Sequence, residues 1–233
     1  MKGLTALVTA GPTHEPIDPV RFIANRSSGK QGYAIARALA KRGAQVTLVA
    51  GPTALADPAG ITTIHVESAR EMLAAVQACL PMDVGVFCAA VVDWRVKTFR
   101  ETKIKKTDDS TTPELKLVAN PDILKTISQS GPKRPRLVVG FAAETENVIE
   151  NATVKRRNKG CDWIVANNVS PGTDIFGGDS NVVHLITAEG VEDWMRLSKD
   201  EVGDRLAERI ERALRRKSFT FDFLAGRPFV LGG

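Results

Sequence analysis

Leu4–Ala50 reads LTALVTAGPTHEPIDPVRFIANRSSGKQGYAIARALAKRGAQVTLVA, and this stretch decides the fold. Leu4–Ala10 is a short apolar run stopped by Gly11-Pro12, which predicts a buried strand. Gly32–Arg42 places Ile35, Leu39 and small alanines on one face of a helix, and Gly43 ends it. Gln45–Ala50 is a second apolar run, closed by Gly51-Pro52. Strand, helix, strand with no alternation in either strand predicts a parallel sheet covered on both faces.

The rhythm continues outward. Strands are expected at Thr62–Val66, Val84–Ala90, Arg136–Phe141, Asp162–Ala166 and Asn181–Ile186. Helices are expected at Ser68–Leu80, Pro121–Gln129, Asn147–Lys159 and Lys199–Lys217. The fold class is therefore α/β, a Rossmann-like doubly wound and mostly parallel sheet. Residues 1–217 form one domain on this reading. Residues 218–233 (FTFDFLAGRPFVLGG from Phe219) are aromatic, glycine-rich and without period, and are expected to be poorly ordered. The segment 91–119 breaks the rhythm with a weak strand at Glu114–Val118. Connections of that length are usually functional or assembly elements.

Composition excludes several classes. The chain has 233 residues, 43% hydrophobic and 25% charged, as an ordinary globular domain has. No apolar run approaches the ~18–20 residues of a membrane span. Three cysteines without a CxxC spacing argue against a disulfide framework or structural zinc and fit a reducing, cytoplasmic compartment. The three histidines are scattered. Net charge is +5, and Arg95–Lys106 carries six bases against one acid, Glu101. So local a cationic segment points to an anionic ligand rather than to a surface that coats nucleic acid.

Asn25–Gly32 (NRSSGKQG) precedes the first helix. Ser28 and Gln31 have capping-box spacing, so a plain helix start is one reading. Lys30 in the first turn is unfavourable there unless an anion is near, and Gly29 and Gly32 leave amides uncovered, as a phosphate site requires. The segment is not a dinucleotide fingerprint, because about fifteen residues with three prolines separate strand from helix. Lys103-Ile104-Lys105-Lys106 is either a solvated patch or a flap that closes over a polyphosphate. Asp93 lies past the fourth strand, where open α/β sheets bind ligands, or is a turn residue. Asn120-Pro121-Asp122 caps a helix on the plainest reading. Lys155 and Lys159 are spaced i, i+4 near a helix C-terminus, which suits the dipole or an anion. Trp94, Trp163 and Trp194 are expected to pack, and Cys88 to be inert.

These residues resemble a known family, bacterial phosphopantothenoylcysteine synthetase, the second activity of the two-part coenzyme A biosynthesis protein. The matching stretches are Thr9–Gly32, Phe87–Arg95 (FCAAVVDWR), Lys103–Lys106 (KIKK), Asn120–Leu124 (NPDIL), Val139–Thr145 (VGFAAET) and Lys155–Asn168. The resemblance implies ligation of 4′-phosphopantothenate to L-cysteine with CTP and Mg2+, through an acyl-cytidylate, with release of pyrophosphate and CMP. By the same resemblance Asn25 is the active-site asparagine, with Arg21 beside it on the substrate, and Lys103 serves activation. Ser27, Ser28 and Gly29 form the triphosphate turn. Phe87, Cys88 and Ala89 line the cytidine pocket. Asp93 belongs to the nucleotide site and is the candidate to hold the cation. Pro121, Asp122, Ile123, Leu124, Phe141, Lys155 and Lys159 match further CTP contacts. The family is dimeric through the 91–118 region. No decarboxylase domain precedes this one, so the chain is either a stand-alone synthetase or an excised domain, partnered by fusion or association with phosphopantothenoylcysteine decarboxylase. Neither nucleic acid nor membrane is an expected partner.

Two rival readings make opposite demands. An NAD(P)-dependent oxidoreductase requires an acid near the end of the second strand, where Gly51-Pro52-Thr53 stands. A nucleic-acid-binding module requires aromatic residues interleaved with bases, where only Trp94 and Phe99 are available.

Overall fold

The first strand lies in the interior of the sheet, as its uninterrupted apolar run requires. A computed structural model describes residues 1–105, 113–170 and 178–224, with side chains as far as Arg215. In chain order the elements are β1 (Thr5–Ala10), β2 (His14–Pro16), β3 (Phe22–Ala24), α1 (Lys30–Lys41), β4 (Gln45–Ala50), β5 (Thr62–His65), α2 (Ala69–Cys79), β6 (Val84–Phe87) and β7 (Trp94–Val96). Then follow β8 (Leu117–Ala119), α3 (Ile123–Ser128), β9 (Leu137–Glu144), α4 (Val148–Lys159), β10 (Trp163–Asn168), β11 (Ser180–Ile186), β12 (Val191–Ser198) and α5 (Lys199–Leu224).

Eight strands form the main sheet in the order β12-β11-β10-β9-β6-β1-β4-β5. The six strands from β5 to β10 run parallel, and β11 and β12 add antiparallel. The fold is thus the doubly wound α/β arrangement expected. Successive residues of β1 face opposite layers. Ala6, Val8 and Ala10 pack with Ile35 and Leu39 of α1 and Leu206 and Ile210 of α5. Leu7 packs with Met72 and Val76 of α2 and Ile127 of α3. Each fully buried large aliphatic contributes roughly 1.5–3 kcal/mol of transfer free energy.

The fold differs from the sequence expectation at several places. Residues 91–119 contain a two-stranded antiparallel ladder, with Trp94, Arg95 and Val96 opposite Ala119, Val118 and Leu117. Trp94 is not a packing residue within the chain, since it is 57% exposed. The apolar strand Val84–Ala90 ends at Phe87; beyond it Cys88 and Ala89 bond to Thr9 near the end of β1, and Ala90 bonds to Gly11 and Thr13 of the loop that follows. Helix α5 extends past Lys217 to Leu224, and the rest of the unperiodic tail, 225–233, lies outside the described residues. Among those residues no helix is long and apolar enough to cross a membrane.

Candidate active site at the ends of the central strands

Strand order reverses between β1 and β6: from β1 the chain moves outward through β4 and β5, then crosses back to β6. The crevice beyond the carboxyl ends of such a pair is where open α/β sheets hold ligands. Here the two loops leaving these strands are tied together. The amide of Cys88 donates to the Thr9 carbonyl at 3.2 Å and that of Ala89 to Thr9 Oγ1 at 3.3 Å. The amide of Val92 donates to buried Thr13 Oγ1 at 3.0 Å. Asn25 Nδ2 reaches across to the Val91 carbonyl at 3.0 Å, so the asparagine is fixed at the cavity rim.

The turn before α1 is not a capping box. Gly29 is the N-cap with φ 74°, and no side chain caps the helix. Ser27 Oγ accepts from the Gly29 amide at 3.3 Å, and Gln31 donates to the Lys199 carbonyl instead of reaching back to Ser28. Only glycine suits position 29, because its φ is left-handed and an added Cβ would lie 2.7 Å from Thr53 Cγ2. A left-handed residue opening a helix with an uncapped first turn forms a concave set of amides, which is an anion cradle. Lys30, the first helical residue, carries the anion its position called for: Asp179 Oδ1 at 2.7 Å.

A cavity of about 440 Å³ opens over this turn and holds Asn25, Ser27, Ser28 and Gly29 together with Cys88, Ala89, Asp93, Phe141 and Lys155. A second recess of about 190 Å³ adjoins it and shares Ala89, Asp93, Phe141 and Lys155. It adds Phe87, Pro121, Asp122, Ile123, Leu124 and Lys159. The structure therefore brings fifteen of the seventeen expected site residues into one crevice, all but Arg21 and Lys103. The recess sets the apolar side chains of Phe87, Ile123, Leu124 and Phe141 beside the charges of Asp93, Asp122, Lys155 and Lys159, while the larger cavity is rimmed by hydroxyls, amides and lysines.

Burial lowers the Lys155 ammonium below its ordinary value, with Glu144, Asp93 and Asp122 opposing and Lys159 adding to the fall. Lys159 pairs with Asp122. Asp122 also caps α3 by accepting from the Lys125 amide at 3.0 Å, which bears out the capping reading of Asn120-Pro121-Asp122. Burial pushes the Cys88 thiol up to about 12, against a smaller effect of Lys199. Cys88 is thus no nucleophile at neutral pH.

Arg21 and Lys103 occupy a different place. Asp18, 2% exposed, accepts from the amides of Val20 and Arg21 at 2.9 Å and from Arg21 Nη2 at 2.7 Å. Its Oδ2 also accepts from the Ile104 amide at 3.1 Å, while Arg21 Nη2 donates to the Ile104 carbonyl at 2.7 Å. The pair grips both main-chain groups of the residue between Lys103 and Lys105. Burial alone would raise the Asp18 carboxyl, but these hydrogen bonds hold it well below the ordinary carboxylate range. Arg21 is engaged in this grip and lines neither recess. Lys103 is exposed and lines neither recess. Lys106 lies outside the described residues.

Sequence reasoning missed Asn167, Asn181 and Lys199, all lining the larger cavity. Asn181 is 5% exposed and accepts from Asn167 Nδ2 at 3.3 Å. A polar pair at the end of two apolar strands was the available signal. Lys199 had none beyond opening the last helix.

The family described as DNA/pantothenate metabolism flavoprotein C-terminal domain matches residues 1–214. The chain belongs to this family. It is 45% identical over 214 residues to the coenzyme A biosynthesis bifunctional protein CoaBC of Haemophilus influenzae, covering 91% of this chain and 52% of that protein. It is also 45% identical over 215 residues to CoaBC of Escherichia coli K12, covering 90% and 52%. The chain thus spans about half the length of the curated relatives it matches. A crystal structure of the C-terminal domain of CoaBC superposes with TM-score 0.77 at 41% identity, over 93% of this chain and 98% of that one. A Streptococcus pneumoniae DNA/pantothenate metabolism flavoprotein shares the fold at TM-score 0.76 and 22% identity, over 91% and 100%.

Proposed function

We propose that the chain is a phosphopantothenate–cysteine ligase that uses CTP. It joins 4′-phosphopantothenate to L-cysteine through an acyl-cytidylate and releases pyrophosphate and CMP. One observation carries this reading: a single crevice joins an anion-cradling glycine turn to a recess that combines aromatic and aliphatic walls with two lysines, in a chain 41% identical to the C-terminal domain of CoaBC.

The chemistry explains why both halves are needed. A carboxylate does not acylate an amine, because its oxygen leaves poorly. Transfer of a nucleotidyl group onto that oxygen creates a good leaving group. In this assignment Ser27, Ser28 and Gly29 hold the triphosphate. Phe87, Cys88, Ala89, Phe141 and Pro121 to Leu124 enclose cytidine, and Lys155 and Lys159 neutralise phosphate charge. Asn25 orients the acyl-nucleotide for attack by the cysteine amine, and Lys103 stabilises charge on departing pyrophosphate.

Asp93 is the assigned magnesium contact. Among the described residues no group of three or more His, Cys, Asp or Glu converges to hold a metal. A lone carboxylate beside a phosphate cradle fits magnesium, which takes one or two carboxylates plus phosphate oxygens and keeps several waters. When bound, that ion supplies charge neutralisation on the triphosphate.

The decisive assay follows pyrophosphate with phosphopantothenate and cysteine present, comparing CTP with ATP. Release that requires phosphopantothenate and is faster with CTP is expected. No release with either nucleotide overturns the reading.

The assignment includes a homodimer in a reducing cytoplasmic setting, with phosphopantothenoylcysteine decarboxylase as the fused or associated activity. Support for the dimer comes from large apolar side chains left exposed on two adjacent hairpins: Val20 59%, Phe22 51%, Trp94 57% and Leu117 49%. Trp94→Asp is expected to shift the protein toward monomer in sedimentation velocity. A wild-type protein that sediments only as a monomer contradicts the dimer.

A further inference from the structure

Two helices begin at the larger cavity, and both begin with lysine. Ser198 caps α5, accepting from the Glu201 amide at 3.2 Å while its own amide donates to Glu201 Oε2 at 2.7 Å. Lys199 is therefore the first residue of that helix, as Lys30 is of α1. A cation at this position opposes the helix dipole unless an anion shares the site. The two helices meet closely along their length: a Cβ added to Gly203 would lie 2.9 Å from the Ala34 carbonyl oxygen. Gln31 Nε2 donates to the Lys199 carbonyl at 3.0 Å, which fixes the two starting turns side by side.

The lysines differ in how they are satisfied. Lys30 is bonded to Asp179, an exposed carboxylate. Lys199 is half-buried and makes no ion pair among the described residues. Burial, followed by the neighbouring charge of Lys30, lowers its ammonium below the ordinary value, with Asp179 and Cys88 opposing. Both lysines line the cavity over the glycine turn, and neither lines the smaller recess. The crevice thus carries two groups of cations, Lys155 and Lys159 at the recess and Lys30 and Lys199 over the turn.

We propose that Lys199, together with Lys30, binds the terminal phosphates of the nucleoside triphosphate and hence the pyrophosphate that leaves. Asp179 competes for Lys30 with that ligand and weakens its binding. This rests on the ligase reading for the identity of the nucleotide. Lys199 acts on ground-state binding of the β- and γ-phosphates rather than on the acyl carbon.

The test compares wild type, Lys199→Gln, Lys199→Arg and Asp179→Asn by titration with CTP, CMP and inorganic pyrophosphate. Lys199→Gln is expected to weaken CTP and pyrophosphate about tenfold or more, the loss of a charge-assisted contact, and to leave CMP within about twofold. Lys199→Arg should restore most of the affinity. Asp179→Asn should tighten CTP and pyrophosphate severalfold by freeing Lys30. Equal loss of CMP and CTP affinity would mean a structural role for Lys199 and overturn the proposal. Unchanged CTP and pyrophosphate affinity in Lys199→Gln also overturns it, while leaving the ligase reading intact. A wild-type protein that binds none of the three ligands overturns both.

Discussion

Lys103→Gln is expected to slow pyrophosphate release about a hundredfold or more while leaving the thermal midpoint unchanged. The magnitude is that of removing one group aimed at charge developing in a transition state. The side chain is exposed, so its loss removes no packing. Lys103 lines neither recess, and its role requires the segment to approach the crevice during turnover. What the protein supplies is a fixed root for that segment. The main chain at Ile104 is held by Asp18 and Arg21, on the same proline-rich loop that carries Asn25.

Asp18→Asn tests the root separately. It should lower kcat in the same direction as Lys103→Gln but by less, and should expose the 103–105 segment to protease. Because the folded Asp18 carboxyl titrates below its unfolded value near 3.9, its contribution is fully present above that value. It is lost only as pH falls through the lower folded value. The difference between Asp18→Asn and wild type should therefore stay constant across roughly pH 6–9. Normal release by Lys103→Gln would remove Lys103 from the activation step.

Trp194→Ala is expected to destabilise the fold by about 3–5 kcal/mol, with a fall in thermal midpoint on the order of 10 °C. Trp194 is 1% exposed in the layer that joins β11 and β12 to α5. Its Nε1 donates to Glu192 Oε1 at 2.9 Å, and the Arg205 guanidinium lies 4.8 Å from the ring centroid. Glu192 also pairs with Arg205 at 2.8 Å and Arg209 at 3.1 Å, so one tryptophan organises the contact between the edge strand and the last helix. Trp194→Phe should lose less, because it keeps most of the apolar area. A loss under about 1 kcal/mol in Trp194→Ala would show that α5 is held by its other contacts.

How much of this was legible in the sequence follows from what each element buries. Strands β1, β4 and β9 are apolar on both faces and announce themselves. Strand β12 escapes notice because only Trp194 among its eight residues is buried, so Val191–Ser198 has no period to read. The ladders β2–β3 and β7–β8 have three residues per strand and fall below any periodic signal. Trp194 and Trp163 pack as expected, but Trp94 does not, since its hairpin stands away from the core.

In the site, local signals pointed to the glycine turn and to Asp93, whereas Phe87 to Ala89 and Pro121 to Leu124 entered only through the family resemblance, and the fold sets them beside that turn. The capping-box spacing of Ser28 and Gln31 misled because Gln31 is drawn to the start of α5, a partner far away in sequence. Lys199 was invisible for the same reason, since its neighbours at the cavity come from α1. Arg21, assigned to the substrate by the resemblance, also pairs with buried Asp18 in the same loop, a partner recognisable only in three dimensions.

The grip of Asp18 and Arg21 on residue 104 touches only its amide and carbonyl. Such an anchorage is blind to the side chain it holds. Any residue with an amide hydrogen can fill this grip, and proline, which has none, gives up the hydrogen bond to Asp18.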